Sequence, residues 1–184
     1  MAMISDRYRR HAAAASLAAA IAVPCEGLYY VYYFDPPGIP TVCFGHTGPD
    51  VDKGKRYSLA ECKALLTKDM AKAIDAVDRC QPGLPEKILA AFGDATYNMG
   101  PTIACNTDVS TAARLLKADK LEAACRQLPR WNKAKVAGVL ITLGGLTRRR
   151  MLEMRLCLDG VRDYQATLVR PLIEQHNVMT GRML

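Results

Sequence analysis

Glu26, Asp35 and Thr41 stand at the spacing E-x8-D-x5-T inside C-E-G-L-Y-Y-V-Y-Y-F-D-P-P-G-I-P-T-V-C-F-G-H-T-G. Two carboxyls and a hydroxyl suit the hydrolysis of a glycosidic bond. One carboxyl donates a proton to the leaving oxygen, and polar groups on the opposite face hold the attacking water. Asp35-Pro36-Pro37-Gly38 is turn chemistry, and Gly38 lets the turn close where a side chain would clash. Such a turn returns Thr41 to the side of Asp35, while Glu26 faces both across a cleft. Pro24, Leu28 and Tyr29 predict an apolar setting for Glu26, in which its carboxyl stays protonated as an acid. Asp35, nearer water, is expected to remain ionised. On this spacing alone, a hairpin with incidental polar groups is the alternative.

The elements that must position these groups follow from the pattern around them. Tyr29 to Phe34 is β-branched and aromatic, and Thr41 to Phe44 can return as the second strand of a hairpin, with Arg56-Tyr57 as a third short strand. Beyond that the chain reads as helical. Ser58-Leu59-Ala60-Glu61 is a capping box, followed by Leu59, Cys62, Leu65, Leu66, Met70, Ala73, Ile74 and Val77 at helical spacing. A second helix is expected from Glu86 to Asn98, stopped by Gly100-Pro101. Shorter helices are expected near 110–117 and 119–128, and another from Thr147 to Leu158, ended by Gly160. The tail from Val161 reads as a helix interrupted before Pro171.

The chain has 184 residues, half of them hydrophobic, and a net charge of +7. That composition suits one globular domain with a real core. The basic balance fits an anionic partner or an ordinary soluble surface. No zinc-finger spacing, phosphate loop or basic-aromatic interleaving points to nucleic acid. Seven cysteines are dispersed at 25, 43, 62, 80, 105, 125 and 157 without a C-x-x-C. That argues against a metal site and for disulfides in an oxidising compartment, buried free thiols being the alternative. The odd number leaves at least one thiol outside intrachain pairs.

With Gly27, Gly38 and Gly45-His46-Thr47-Gly48, the stretch resembles the phage-type lysozymes, glycoside hydrolase family 24. The resemblance extends to Tyr57-Ser-Leu-Ala-Glu61-Cys62, Tyr97-Asn98-Met-Gly100, Arg130-Trp131-Asn132 and Gly145-Leu-Thr-Arg148-Arg149-Arg-Met-Leu-Glu153, from about Cys25 to Leu158. It implies an α+β fold with a small N-terminal β-hairpin lobe, a larger helical lobe and the cleft between them. It also implies peptidoglycan as substrate, with Glu26 as general acid and Asp35 and Thr41 holding water, hence an inverting reaction without metal or organic cofactor. Tyr97, Asn98 and His46 are substrate-binding candidates. Tyr97 and Asn98 could instead pack and cap their helix, and His46 could tie the hairpin to the cleft wall rather than act as a base. Trp131 is read as core packing. Arg148, Arg149 and Glu153 are read as structural, with pairing at i, i+4 spacing. The expected disulfides are Cys80–Cys105, which flank the central helix, Cys125–Cys157, in two late helices that pack together in the family, and Cys43–Cys62. A lytic transglycosylase and a non-catalytic basic wall- or nucleic-acid-binding module are the competing functions.

Arg7, Arg9 and Arg10 precede an uncharged, Ala-rich run from Ala12 to Val23. This resembles an export signal, short and weakly apolar for a permanent span. It could be a cleaved signal peptide ending near Ala22, an ordinary N-terminal helix, or an anchor that inserts and later leaves the membrane. Cysteine at position 43 resembles the exported branch of the family, whose members carry a signal-anchor-release segment. The expected organisation is therefore an anchor-like segment 1–24, a catalytic domain 25–160 and a tail 161–184. The protein would be a monomeric endolysin, first tethered and inactive at the host inner membrane and then released into the periplasm. Cys25, beside the acid, is a candidate redox latch that would hold Glu26 away from the cleft when paired with Cys43.

Overall fold

A computed structural model describes residues 2–35, 38–136 and 138–180. Pro36 and Pro37 of the expected turn lie outside the described residues, but its closure does not. The Gly38 N–H donates to the Asp35 carbonyl at 2.8 Å, and the Asp35 N–H donates to the Ile39 carbonyl at 3.0 Å.

The Ala-rich run is the body of α1 (Ala2–Cys25). Ala14, Ala18, Ile21 and Ala22 recur on one face and are buried, and α1 packs on α2 (Leu59–Cys80) and α3 (Glu86–Met99). Small side chains let these helices approach closely. The basic flank has a partner as well. Arg7 Nε, Arg10 Nη2 and His11 Nε2 converge on the buried carboxylate of Asp78 in α2, at 3.0, 2.6 and 2.9 Å. The described state is thus the one with this segment packed as a helix of the protein. No described helix is long and apolar enough to cross a membrane.

The hairpin forms as expected from β1 (Tyr29–Phe34) and β2 (Pro40–Cys43), antiparallel, with Tyr33 opposite Thr41 and Tyr29 opposite Cys43 across an irregularity in register. The third strand is β3 (His46–Thr47), paired with β2, not Arg56-Tyr57. Gly45, at φ +87°, turns the chain straight back, so the residues just beyond it take the sheet edge. Tyr57 gives the sheet one hydrogen bond, from its N–H to the Tyr30 carbonyl at 2.7 Å.

α2 begins with the Ser58–Glu61 capping box, both of its hydrogen bonds present, and buries Cys62, Leu66, Met70, Ala73, Ile74 and Val77. α3 is buried along most of its length through Ile88, Leu89, Ala90, Ala91, Phe92 and Ala95, the mark of a central helix covered on all sides. α4 (Thr102–Cys105), α5 (Thr111–Lys117) and α6 (Leu121–Cys125) follow, then a single 3₁₀ turn at Leu128–Arg130. Trp131 packs against the core. Disulfides join Cys43 to Cys62, Cys80 to Cys105 and Cys125 to Cys157. They tie the sheet to α2, α2 to α4, and α6 to α7 (Gly144–Thr180).

Two further features depart from the sequence reading. β4 (Lys133–Val136) and β5 (Val139–Thr142) form a separate hairpin turned by Gly138 at φ +84°. And α7 runs through both Gly160 and Pro171 as one helix, so neither ends it. Gly160 sits where α7 crosses the start of α3. A Cβ there would come within 2.8 Å of the Lys87 Cβ and 3.1 Å of the Ile88 backbone nitrogen. The glycine serves a close helix crossing, which local pattern cannot distinguish from a stop.

Candidate active site

Glu26 is carried by the end of α1, where its N–H donates to the Ala22 carbonyl at 2.9 Å. Its Oε1 accepts a hydrogen bond from Arg149 Nη1 of α7. Arg149 in turn grips Asp94 of α3 with two donors, Nε to Oδ2 at 2.9 Å and Nη2 to Oδ1 at 2.7 Å. The Glu26 side chain is 23% exposed, that of Arg149 3% and that of Asp94 0%. Beside this chain, Arg150 Nη2 donates to Asn98 Oδ1 at 3.0 Å and lies 2.6 Å from the buried Glu153 carboxyl. Burying such charges is costly unless each is paired in good geometry; the two-pronged guanidinium of Arg149 supplies that geometry to Asp94, whereas Arg150 Nε and Nη1 and both Glu153 oxygens make no hydrogen bond. Burial works against the charge on Arg149, but the Asp94 carboxylate, with Glu26, outweighs it and raises its pKa above the ordinary value. Burial pushes the Glu153 carboxyl well above the usual carboxylate range, and Asp94 adds to the shift.

Glu26 therefore does not sit in the apolar setting that its sequence neighbours suggest. Its partner is a guanidinium 123 positions downstream. Arg149 was expected to pair with Glu153, but that contact is long, at 3.7 Å. Sequence reasoning missed Asp94 altogether, although one signal was visible: an acidic residue inside the otherwise apolar run I-L-A-A-F-G-D-A, where an unpaired charge could not stay.

Asp35 and Thr41 come together through one residue. The Ile39 carbonyl accepts both the Asp35 N–H and the Thr41 hydroxyl, each at 3.0 Å, while the Ile39 N–H donates to Asp35 Oδ1 at 2.7 Å. Thr41 is buried and Asp35 half-buried.

Tyr97 lies between the sheet and Glu26. Its hydroxyl donates to the Phe44 carbonyl, and its ring centroid is 5.8 Å from the Arg149 guanidinium carbon. A Cβ on Gly45 would stand 3.5 Å from Glu26 Oε2 and 3.7 Å from the Tyr97 hydroxyl, which places sheet, acid and ring at one spot. Burial raises the Tyr97 hydroxyl above the ordinary tyrosine range, and Glu26 adds to this, so it stays a neutral donor. Asn98 engages Arg150 and belongs to the buried scaffold. His46 is buried, with Nδ1 2.5 Å from Asp69 of α2 and Nε2 3.2 Å from Asp50. Both ring nitrogens are taken by protein carboxylates, so His46 ties β3 to α2 and leaves no nitrogen for a substrate. The Cys25 thiol is free, and burial raises its pKa, with Arg149 opposing. Among the described residues no cluster of His, Cys, Asp and Glu is arranged to hold a metal ion.

The chain is similar to known proteins. A model of the family described as phage lysozyme covers residues 23–153, a span that opens just before Glu26 and closes on Glu153. The chain is 39% identical over 136 residues to the SAR-endolysin of Enterobacteria phage P21, covering 73% of this chain and 78% of that one. It is 31% identical over 160 residues to the SAR-endolysin of Pseudomonas phage phiKMV, covering 84% and 95%. Among solved structures, an endolysin from Escherichia coli O157:H7 phage FAHEc1 superposes with a TM-score of 0.66 at 28% identity, covering 78% of this chain and 90% of that one.

Proposed function

The chain belongs to the phage lysozyme family, and from that premise we propose how its cleft works. The protein is a glycoside hydrolase, an endolysin that cuts the β-1,4 bond between N-acetylmuramic acid and N-acetylglucosamine in peptidoglycan and so lyses the host. Glu26 protonates the leaving oxygen. Asp35 and Thr41 hold a water on the opposite face of the sugar, so attack inverts the anomeric carbon. Arg149, neutralised and immobilised by Asp94, is the post against which the Glu26 carboxyl is oriented. Tyr97 closes the cleft wall beside it. The observation that supports this reading is that Ile39 engages both groups, its N–H donating to Asp35 Oδ1 and its carbonyl accepting from the Thr41 hydroxyl, on an element separate from the one that carries Glu26. Digestion of purified peptidoglycan tests it. Mass spectrometry should find new reducing muramic acid ends. Ends in the 1,6-anhydro form would make the protein a lytic transglycosylase, and no new ends a binding module.

The route to the substrate follows from the same premise. Residues 12–23 first insert in the host inner membrane and hold the enzyme inactive, then leave it and pack as α1 of a periplasmic monomer. The buried alanine stripe supports this, as does the last turn of α1, which carries Glu26: without α1 docked, the acid has no fixed place. Cys25 stays a candidate latch, since Cys43 is bonded to Cys62 in the packed state. A soluble, active form with its original N-terminus is expected on sequencing. One beginning after Ala22 would establish a cleaved leader instead.

A further inference from the structure

The tyrosine-rich strand β1 takes no part in the chemistry above, yet two of its rings lie beside residues that do. Tyr29 follows Glu26 by three positions, and its ring folds back over Gly27. A Cβ on Gly27 would come within 2.5 Å of Tyr29 Cε2 and 3.3 Å of its hydroxyl oxygen. Against Tyr29 packs Tyr33, with ring centroids 4.3 Å apart and planes at 42°. Tyr33 lies directly opposite Thr41 in the β1–β2 register. Cross-strand partners share a face of the sheet, which sets the Tyr33 ring beside the hydroxyl proposed to hold water. The Tyr33 hydroxyl is raised above its ordinary pKa by burial, then by Tyr29, Glu26 and Asp35, so both carboxyls lie within electrostatic reach of it. Although it packs against a backbone and a second ring, Tyr29 remains 48% exposed.

We propose that Tyr29, braced by Gly27 and Tyr33, is a stacking platform for one amino sugar of the glycan strand, a subsite that orients the bond to be cut between Glu26 and the Asp35–Thr41 pair; this rests on the glycan-cleaving reading above. The face of an aromatic ring is electron-rich, and the C–H groups on one face of a pyranose ring carry a partial positive charge. The two surfaces are therefore complementary in shape and in electrostatics. A ring already wedged in place loses little freedom when the sugar arrives. Gly27 matters because only a residue without a side chain lets the Tyr29 ring lie back beside the acid.

The test uses soluble, uncrosslinked peptidoglycan strands. Tyr29→Ala should raise KM about tenfold, as expected for loss of one well-packed aromatic contact, with kcat within about twofold. Tyr29→Phe, which keeps the ring face, should stay near the parent. Gly27→Ala displaces only the far end of the Tyr29 side chain, so it should raise KM while leaving the thermal unfolding curve unchanged. It decides the matter should Tyr29→Ala fail to fold. Calorimetric binding of the same strands in the Glu26→Gln background separates the platform from the chemistry, with Tyr29→Ala expected to weaken binding about tenfold there too. Binding within twofold of the parent in a folded Tyr29→Ala or Gly27→Ala protein overturns the platform, as does an equal loss in Tyr29→Phe. Wild-type cleavage by Glu26→Gln would overturn the catalytic reading and leave the binding comparison to judge the platform alone.

Discussion

The two walls of the cleft are built on opposite principles. On the sheet side, Asp35 and Thr41 are held by hydrogen bonds to Ile39, within a few positions in the chain. On the helical side, Glu26 is held by Arg149 and Asp94, drawn from α7 and α3 and sunk in the core. The first wall costs the fold little, because a turn satisfies its own polar groups. The second trades desolvation for rigidity, and its charges hold one another only while every partner is present. In the proposed mechanism function divides the same way: the sheet-side wall holds the attacking water, and the helical wall fixes the direction of a proton donor.

Removing the post of the helical wall should have the largest effect. Arg149→Met leaves the buried Asp94 without its cationic partner. It should cost about 3–5 kcal/mol of stability by denaturant unfolding, together with most of the activity. Arg149→Lys should recover part of each, since a point charge cannot grip two oxygens at once. Unfolding of Arg149→Met at the parent's midpoint would contradict the account of this wall. The sheet-side wall should behave in the reverse sense. Asp35→Asn keeps an oxygen for the Ile39 N–H, so stability should move by no more than about 0.5 kcal/mol, while turnover falls by about 10²-fold or more. Thr41→Ala should show the smallest fall in turnover, with a stability loss of about 1 kcal/mol for one buried hydrogen bond. If Asp35→Asn unfolded as readily as Arg149→Met, the two walls would not differ in kind.

The same contrast explains what could be read from the sequence. The sheet-side wall is local, so E-x8-D-x5-T and the turn around Gly38 announce it. The capping box at Ser58 and the buried face of α2 are local too. The helical wall joins residues 123 and 55 positions apart, and nothing near Glu26 foretells a guanidinium. Asp94 could have been suspected from its apolar run, but not its partner. Gly160 was misread for a related reason: its meaning lies in α3, far away in sequence. The β4–β5 hairpin escaped because its run of K-A-K-V-A-G-V-L-I-T is short and its second half does not alternate; β5 is exposed along its whole length. Of the two readings of His46, the tie from the hairpin to a neighbouring element is the one formed, but its partner Asp69 could not be named, since it projects from α2, which the hairpin motif does not include.

In the proposed mechanism Glu26 supplies the proton. Glu26→Gln keeps the shape of the side chain and can still accept from Arg149, so the fold and the binding of glycan strands should persist. Release of reducing ends from purified peptidoglycan by this variant should fall by roughly 10²–10⁴-fold, the contribution expected of a positioned general acid. A folded Glu26→Gln protein that releases ends at near the parent's rate would contradict the account.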